Sequence, residues 1–303
     1  MSHTLSPLVL SNTVLGMVST KHFVSETYVI KLGRGSHGTV VYQGTFQGRA
    51  VAVKRLIRDH VTLAEREINH LKRADDHPNV IRYFYQAADE NFLYVVLALC
   101  PASLADIIER SDQFREIADS FNPKRAVREI TSGLGHLHSL SLVHRDIKPS
   151  NILISSTKVG DLSMNRMLIS DFGISRELEF DQTSYAPTVS GVIGAGTWGW
   201  KAPEILHREA RASTGNNVRT TNATEMQTIR LTKSVDIFTL GCLYYYCLTT
   251  GGHPFGDHHD RDYNIRHGRM SLQDLESLGE DGPEAVDIIT SMLAPEAADR
   301  CVC

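Results

Sequence analysis

The sequence predicts an α+β protein of two lobes, strand-rich over 28–98 and helical over 99–303. Three observations predict it. β-branched and aromatic runs crowd the first hundred residues, as in Thr39-Val40-Val41-Tyr42 and Phe92-Leu93-Tyr94-Val95-Val96-Leu97. Longer helical patterns follow, above all Asp236-Ile237-Phe238-Thr239-Leu240-Gly241-Cys242-Leu243-Tyr244, apolar enough to be buried. The 303 residues, 42% of them hydrophobic, suffice for one large domain or two lobes with a sizeable core.

Taken in order, 1–27 reads as an N-terminal segment of irregular structure. The loop Gly33-Arg34-Gly35-Ser36-His37-Gly38 then leads into the strand at 39–42. A dinucleotide-binding loop would open a helix there instead, and no Gly-Lys-Ser/Thr of a P-loop is present. Residues 62–73 form a helix with Leu63, Ile68 and Leu71 apolar. His77-Pro78-Asn79-Val80-Ile81 and 92–97 are two further strands, and Ala98 to Pro101 is a hinge. Pro123 opens a helix at a position that helix entry tolerates. The polar stretch 207–230 predicts a flexible surface insert. His253, His258 and His259 beside Asp257 and Asp260 match no metal-ligand spacing and read as a solvated loop. Cys242 and Cys247 belong to the core of a buried helix.

The net charge of −4 argues against a protein that binds nucleic-acid phosphates. The longest apolar run, Phe92 to Cys100, is too short to span a bilayer. No basic n-region marks a signal peptide. The five cysteines form no disulfide or metal framework, which places the chain in a reducing, cytosolic environment.

The chemistry lies in motifs that come in a fixed order. Val51-Ala52-Val53-Lys54 follows the glycine loop; His144-Arg145-Asp146-Ile147-Lys148-Pro149-Ser150-Asn151 and Asp171-Phe172-Gly173 come later. In series they resemble a eukaryotic protein kinase from about Leu32 to Arg300. The resemblance implies the two-lobed kinase fold, with ATP and Mg²⁺ as cofactors. Phosphoryl transfer is mostly positioning and charge neutralisation. Lys54 would hold the α- and β-phosphates, directed by Glu67, with Glu65 the competing carboxylate. Asp146 would accept the substrate hydroxyl proton and Lys148 would contact the γ-phosphate. Asn151 and Asp171 would hold the metal. Leu32, Gly33, Gly35, Gly38, Val40, Ala52, Leu97, Ala98 and Cys100 would line the nucleotide site. Lys148 and Gly196-Thr197-Trp198-Gly199-Trp200 resemble the serine/threonine pattern, where Thr197 bridges Asp146 and Lys148. Asp236 would brace the catalytic loop and Glu204 would pair with Arg300. Arg145 implies a phosphate-controlled loop, whose candidate acceptors are Thr183, Ser184, Thr188 and Ser190.

Gly35-Ser36-His37-Gly38-Thr39-Val40, His77-Pro78-Asn79-Val80-Ile81-Arg82-Tyr83-Phe84, Leu99-Cys100, Gly199-Trp200 and Gly251-Gly252-His253-Pro254-Phe255 narrow the resemblance. Together they are similar to the inositol-requiring kinase–endoribonuclease family, stress sensors of the endoplasmic reticulum, in its fungal form. That implies self-association, trans-autophosphorylation in the unfolded protein response, and a place on the cytosolic face of the reticulum membrane, anchored through segments outside this sequence. No nucleic acid would bind through this chain itself. The alternative function is a nucleotide-gated dimerisation module controlling an attached ribonuclease. Measured against that family, the sequence reads as truncated at Cys303, before the last kinase helix and the ribonuclease. Residues 17–32 read as an insertion, and Cys301-Val302-Cys303 as the product of a frame shift.

Overall fold

The computed structural model of the chain describes residues 30–34, 39–57, 61–159, 162–173, 175–178, 196–213 and 232–301. Five strands form the first sheet: β1 (Ile30–Arg34), β2 (Val40–Phe46), β3 (Arg49–Ile57), β4 (Tyr83–Ala88) and β5 (Phe92–Ala98). Their order is β1-β2-β3-β5-β4, with every neighbouring pair antiparallel. The sequence of β3 shows why it is a strand. Val51 and Val53 alternate with Ala52 and Lys54, and side chains two apart share a face. The two valines enter a small apolar cluster with Phe46, Tyr94 and Val96, while Ala52 and Lys54 take the opposite face.

The β2–β3 turn is Gln47-Gly48, with φ of 50° and 75°. Two left-handed residues make the tight turn that suits the strand twist. The turn pairs Phe46 with Arg49 and fixes the register of everything behind it.

Helix α1 (Val61–Ala74) joins β3 to β4 and buries Ile68, Leu71 and Ala74 together with two polar residues, Glu67 and His70. The expected strand at 77–81 is not one. Pro78 has no amide to give a ladder, and the Asn79 amide donates to His77 Nδ1 at 3.1 Å, closing a turn. Only Val80 makes an isolated bridge, to Ile169, and the strand starts at Tyr83.

The second half is mostly helical. It contains β6 (Ala102–Ser103), α2 (Leu104–Glu109), α3 (Arg115–Ala118), α4 (Pro123–Ser139), β7 (Leu142–Val143), β8 (Ile152–Val159), β9 (Leu162–Ile169), β10 (Arg176–Glu177), α5 (Pro203–Ser213), α6 (Ser234–Leu248), α7 (Arg261–Arg266) and α8 (Gly282–Met292). The start of α4 follows from three residues: the Asn122 side chain accepts the Arg125 amide at 2.9 Å, and Pro123 needs no acceptor. Ser103 and Asp106 cap α2 reciprocally. Helix α6 is apolar on nearly all sides because it is enclosed on nearly all sides; Gly241 lets α8 approach so closely that a Cβ there would meet Met292 Cβ at 2.9 Å. Helix α5 runs through Ser213, so 207–213 is ordered helix rather than insert, and 214–230 lies outside the described residues. The expected insertion at 17–32 is also outside them except for Ile30 to Leu32, and so are Val302 and Cys303.

A second apolar cluster is continuous from the first sheet to α8. Ile68, Leu71 and Val95 belong to it, as do Ile169, Phe172, Phe238 and Met292. Lys54 points from the sheet toward the helical half, where Asp171 receives it. No helix among the described residues is long and apolar enough to cross a membrane.

Candidate active site

Lys54 on β3 donates to Glu67 Oε1 of α1 at 2.5 Å and to Asp171 Oδ1 at 2.9 Å. Burial alone would lower the amine's pKa; the two carboxylates outweigh it and push the pKa well up. Glu67, the favoured carboxylate, is 4% exposed and faces inward, and its competitor Glu65 faces solvent. Lys54 in turn is the main cause that holds the Asp171 carboxyl down at about 2, against the opposing effect of burial. The Asp171 side chain still keeps 38% of its surface open. Its φ of 64° is left-handed, a strained choice for a residue with a Cβ. Next to it Phe172 is buried edge-on against His144.

A polar relay ties α1 to this segment. The Ser175 hydroxyl donates to the Phe172 carbonyl at 2.7 Å. His70 Nδ1 lies 2.6 Å from the same hydroxyl and must supply the proton of that contact.

The loop at 144–151 is held from behind by Asp236 of α6. Its Oδ2 accepts the His144 amide at 2.8 Å, its Oδ1 accepts the Arg145 amide at 2.7 Å, and His138 Nε2 donates to Oδ2 at 2.9 Å. Asp236 is wholly buried. Burial raises its pKa, but the hydrogen bond and charge of His138 and the further contacts win, and the carboxyl titrates below its ordinary range. Those amides are fixed where the backbone is strained, since Arg145 has φ of 72°. His144 Nε2 faces the Ser170 carbonyl at 3.0 Å, so that nitrogen carries the proton. Nδ1 is then free to accept the Asp146 amide, at 3.3 Å.

Asp146 is thereby presented at the front of the loop. Its Oδ1 accepts from Thr197 Oγ1 at 2.7 Å and its Oδ2 from Lys148 Nζ at 2.7 Å. Lys148 also reaches Thr197 Oγ1 at 2.5 Å, so the expected bridge is present. Asn151 Nδ2 donates to Asp146 O and Oδ2 at 2.8 and 2.9 Å, which leaves Oδ1 as the atom Asn151 can offer a metal. Ser170, next to Asp171, donates through N and Oγ to the Asn151 carbonyl at 3.0 and 2.9 Å. One neutral and one ionised oxygen donor, on segments joined by the Ser170 hydrogen bonds, are of the kind magnesium takes beside waters and phosphate oxygens. No group of three or more His, Cys, Asp or Glu among the described residues could hold a metal ion.

For the nucleotide itself, Ala52 and Leu97 are cross-strand partners and both half-buried. Register corrects one expected contact. Val41, not Val40, lies opposite Lys54; Val40 pairs with Arg55 and takes the other face of β2. The Ala98 amide is committed to the Arg82 carbonyl at 3.0 Å. Burial pushes the Cys100 thiol up to about 12, so it is an unreactive neutral group. Leu32 and Gly33 sit on β1, where the pairing with β2 shifts register. Gly35, Gly38, Thr183, Ser184, Thr188 and Ser190 lie outside the described residues.

Arg300 and Glu204 pair in fork-to-fork fashion, at 2.8 Å on both nitrogens, with the guanidinium also reaching the carbonyls of Ser234, Ala294 and Pro295. His253 departs from the expected solvated loop. It is buried edge-on against Trp200, and its pKa falls to about 3, chiefly by burial. Sequence reasoning passed over His138, His70 and Asp262. His138 did carry a signal: it stands four residues after Leu134 on the apolar stripe of α4, where a polar residue needs a buried partner.

A family model described as Protein kinase domain matches residues 27–303. The sensor for unfolded proteins in the ER ire1 of Schizosaccharomyces pombe is 41% identical over 302 residues, covering 99% of this chain and 27% of that protein. The serine/threonine-protein kinase/endoribonuclease ireA of Aspergillus fumigatus is 42% identical over 284 residues, 89% of this chain and 24% of that protein. The serine/threonine-protein kinase/endoribonuclease IRE2 of Homo sapiens is 41% identical over 264 residues, 87% of this chain and 26% of that protein. The chain thus spans about a quarter of the length of the curated relatives it matches.

Proposed function

Because the chain belongs to the protein kinase domain family, we propose that it moves the terminal phosphoryl group of ATP onto serine and threonine hydroxyls. One observation carries the reading. The Lys54–Glu67–Asp171 cluster and the Asp146–Lys148–Thr197 cluster are tied together through Asn151 and Ser170.

Lys54, aimed by Glu67, would hold the α- and β-phosphates. Lys148 would balance charge on the γ-phosphate as the bond to the leaving oxygen opens. Asp146 would take the proton from the acceptor hydroxyl as its oxygen bonds to phosphorus, and ADP would leave. Leu32, Gly33, Val41, Ala52 and Leu97 would enclose adenine and ribose, with Cys100 offering its backbone. Magnesium, held by Asn151 Oδ1 and the Asp171 carboxylate, would supply positive charge on the β- and γ-phosphate oxygens.

The name of the Schizosaccharomyces pombe relative, a sensor for unfolded proteins in the ER, supports a place in endoplasmic-reticulum stress signalling, which would put the chain on the cytosolic side of that membrane. There one copy would phosphorylate another after self-association. The test is incubation of the chain with Mg²⁺ and ATP beside Asp146→Asn, both prepared free of other kinases. Phosphate on the wild-type chain and its absence from D146N support the reading; equal phosphate on both overturns it.

A further inference from the structure

Helix α1 carries more than Glu67 toward the second half of the chain. Glu67, His70 and Arg73 stand three residues apart, so they share one side of the helix. Glu67 shares Lys54 with Asp171. His70 Nδ1 donates to Ser175 Oγ at 2.6 Å, and Arg73 pairs with Glu177 at 2.7 Å. The last of these is an exposed ion pair, of a kind that contributes little. The middle bond is buried at both ends, with His70 6% and Ser175 8% exposed. An apolar pair would fill that place without removing two polar groups from water, so what the bond adds is direction. The direction is passed on, because Ser175 donates through Oγ and N to the Phe172 carbonyl at 2.7 and 3.0 Å. The neighbour of Phe172 is Asp171, whose left-handed φ of 64° persists only where its surroundings fix it.

We infer that His70 is a positioning residue for phosphoryl transfer: through Ser175 and the Phe172 carbonyl it fixes Asp171, the carboxylate that would hold magnesium, to the helix that carries Glu67. This rests on the phosphoryl-transfer reading above. Lys54 grips the Asp171 carboxylate, but an ammonium on a four-carbon stem sets distance better than direction. The backbone on either side of Asp171 supplies the direction. Ser170 ties one side to Asn151, and His70 ties the other side to α1. Glu67 and Asp171 are thereby set by one rigid element, so a displacement of α1 moves both carboxylates that meet Lys54.

The test uses the whole chain and ADP, whose affinity is measured by calorimetry once with Mg²⁺ and once with EDTA. The ratio of the two affinities reads how well the metal-holding groups are placed. His70→Leu should shrink that ratio about fivefold or more, the worth of one buried hydrogen bond, and leave the affinity in EDTA within twofold of wild type. His70→Asn, whose amide can donate from near the Nδ1 position, should restore the ratio to within twofold. Ser175→Ala should match H70L, and it carries the same comparison should H70L not fold. The double variant should be no worse than S175A alone. A wild-type ratio in both H70L and S175A overturns the inference. So does a loss that is equal with and without Mg²⁺, an H70N no better than H70L, losses that multiply in the double variant, or a wild-type chain whose ADP affinity ignores Mg²⁺. Transfer is read separately, as phosphate placed on a D146N copy. A ratio that depends on His70, with no phosphate transferred by the wild type, would sustain His70 as the anchor of Asp171 and sink the transferase reading.

Discussion

Replacing Asp236 by Asn changes one oxygen to an NH₂ in a place where three donors converge. The side chain has two ways to sit. With its oxygen in the Oδ2 position it still accepts the His144 amide and His138 Nε2, and its NH₂ opposes the Arg145 amide. Turned over, it accepts only Arg145 and strands two donors. The first arrangement costs less and leaves one buried N–H without an acceptor, about 1–3 kcal/mol. The two surviving bonds lose their charge assistance, about 1 kcal/mol each, since charged hydrogen bonds are roughly twice as strong. The sum is about 3–5 kcal/mol, a large part of the roughly 5–15 kcal/mol that holds a domain together. The released amide is also the one that pins Arg145 in its left-handed conformation, so Asp146 should lose its alignment and the rate should fall by about 10²-fold or more. Acid gives an independent check. A carboxyl whose folded pKa lies below its ordinary 3.8 stabilises the fold above that pH, and the contribution fades as pH falls through the lower folded value. D236N should lack that part of the acid dependence. Denaturant unfolding from pH 7 to pH 3, with phosphate incorporation alongside, measures all three effects. A variant within 1 kcal/mol of wild type at pH 7, or with an unchanged rate, would refute the account of the buried brace.

Two further outcomes follow from buried charge. Lys54→Ala should abolish phosphoryl transfer and also destabilise the chain by about 3 kcal/mol, because Glu67 keeps its burial and loses its cation. K54A with Glu67→Ala should unfold at higher urea than K54A alone, and simple additivity of the two losses would contradict this. Arg300→Ala strands Glu204 and frees three carbonyls, so it should cost about 3–5 kcal/mol in the same assay. Arg300→Lys should recover only part, since an ammonium cannot make the paired bonds; full recovery would show that charge alone matters.

What was legible in the sequence was the part carried by neighbours along the chain. Asp146, Lys148 and Asn151 lie within six residues, and their hydrogen bonds follow from that closeness plus one distant hydroxyl, that of Thr197. The pairing of Lys54 with Glu67 depended only on a strand followed by a helix of the right phase. The mistakes arose where geometry depends on a turn or on packing. Val40 and Val41 are equally good strand residues, and which one faces Lys54 is decided by the Gln47-Gly48 turn, which has Gln where such hairpins usually carry Asn or Asp. The segment at 77–81 has strand-like valine and isoleucine, yet Pro78 and the His77 side chain close it into a turn. His253 looked like one of three solvated histidines until Trp200 and Phe255 were folded around it. Nothing local to Gly251-Gly252-His253 announces that enclosure.

The apolar cluster that passes unbroken from Ile68 and Val95 to Phe172 and Met292 bears on how this protein can be divided. A cut at the hinge, between Ala98 and Leu99, would leave the N-terminal fragment with only the five-residue cluster around Val51 fully its own. It would expose the inward faces of α1 and β5 to water. The C-terminal fragment would in turn show Ile169 and Phe172 to solvent. The lobes therefore share a fate: one heat-absorption peak on melting, protease resistance at the hinge for as long as either lobe persists, and a tendency for separately made fragments to seek each other out.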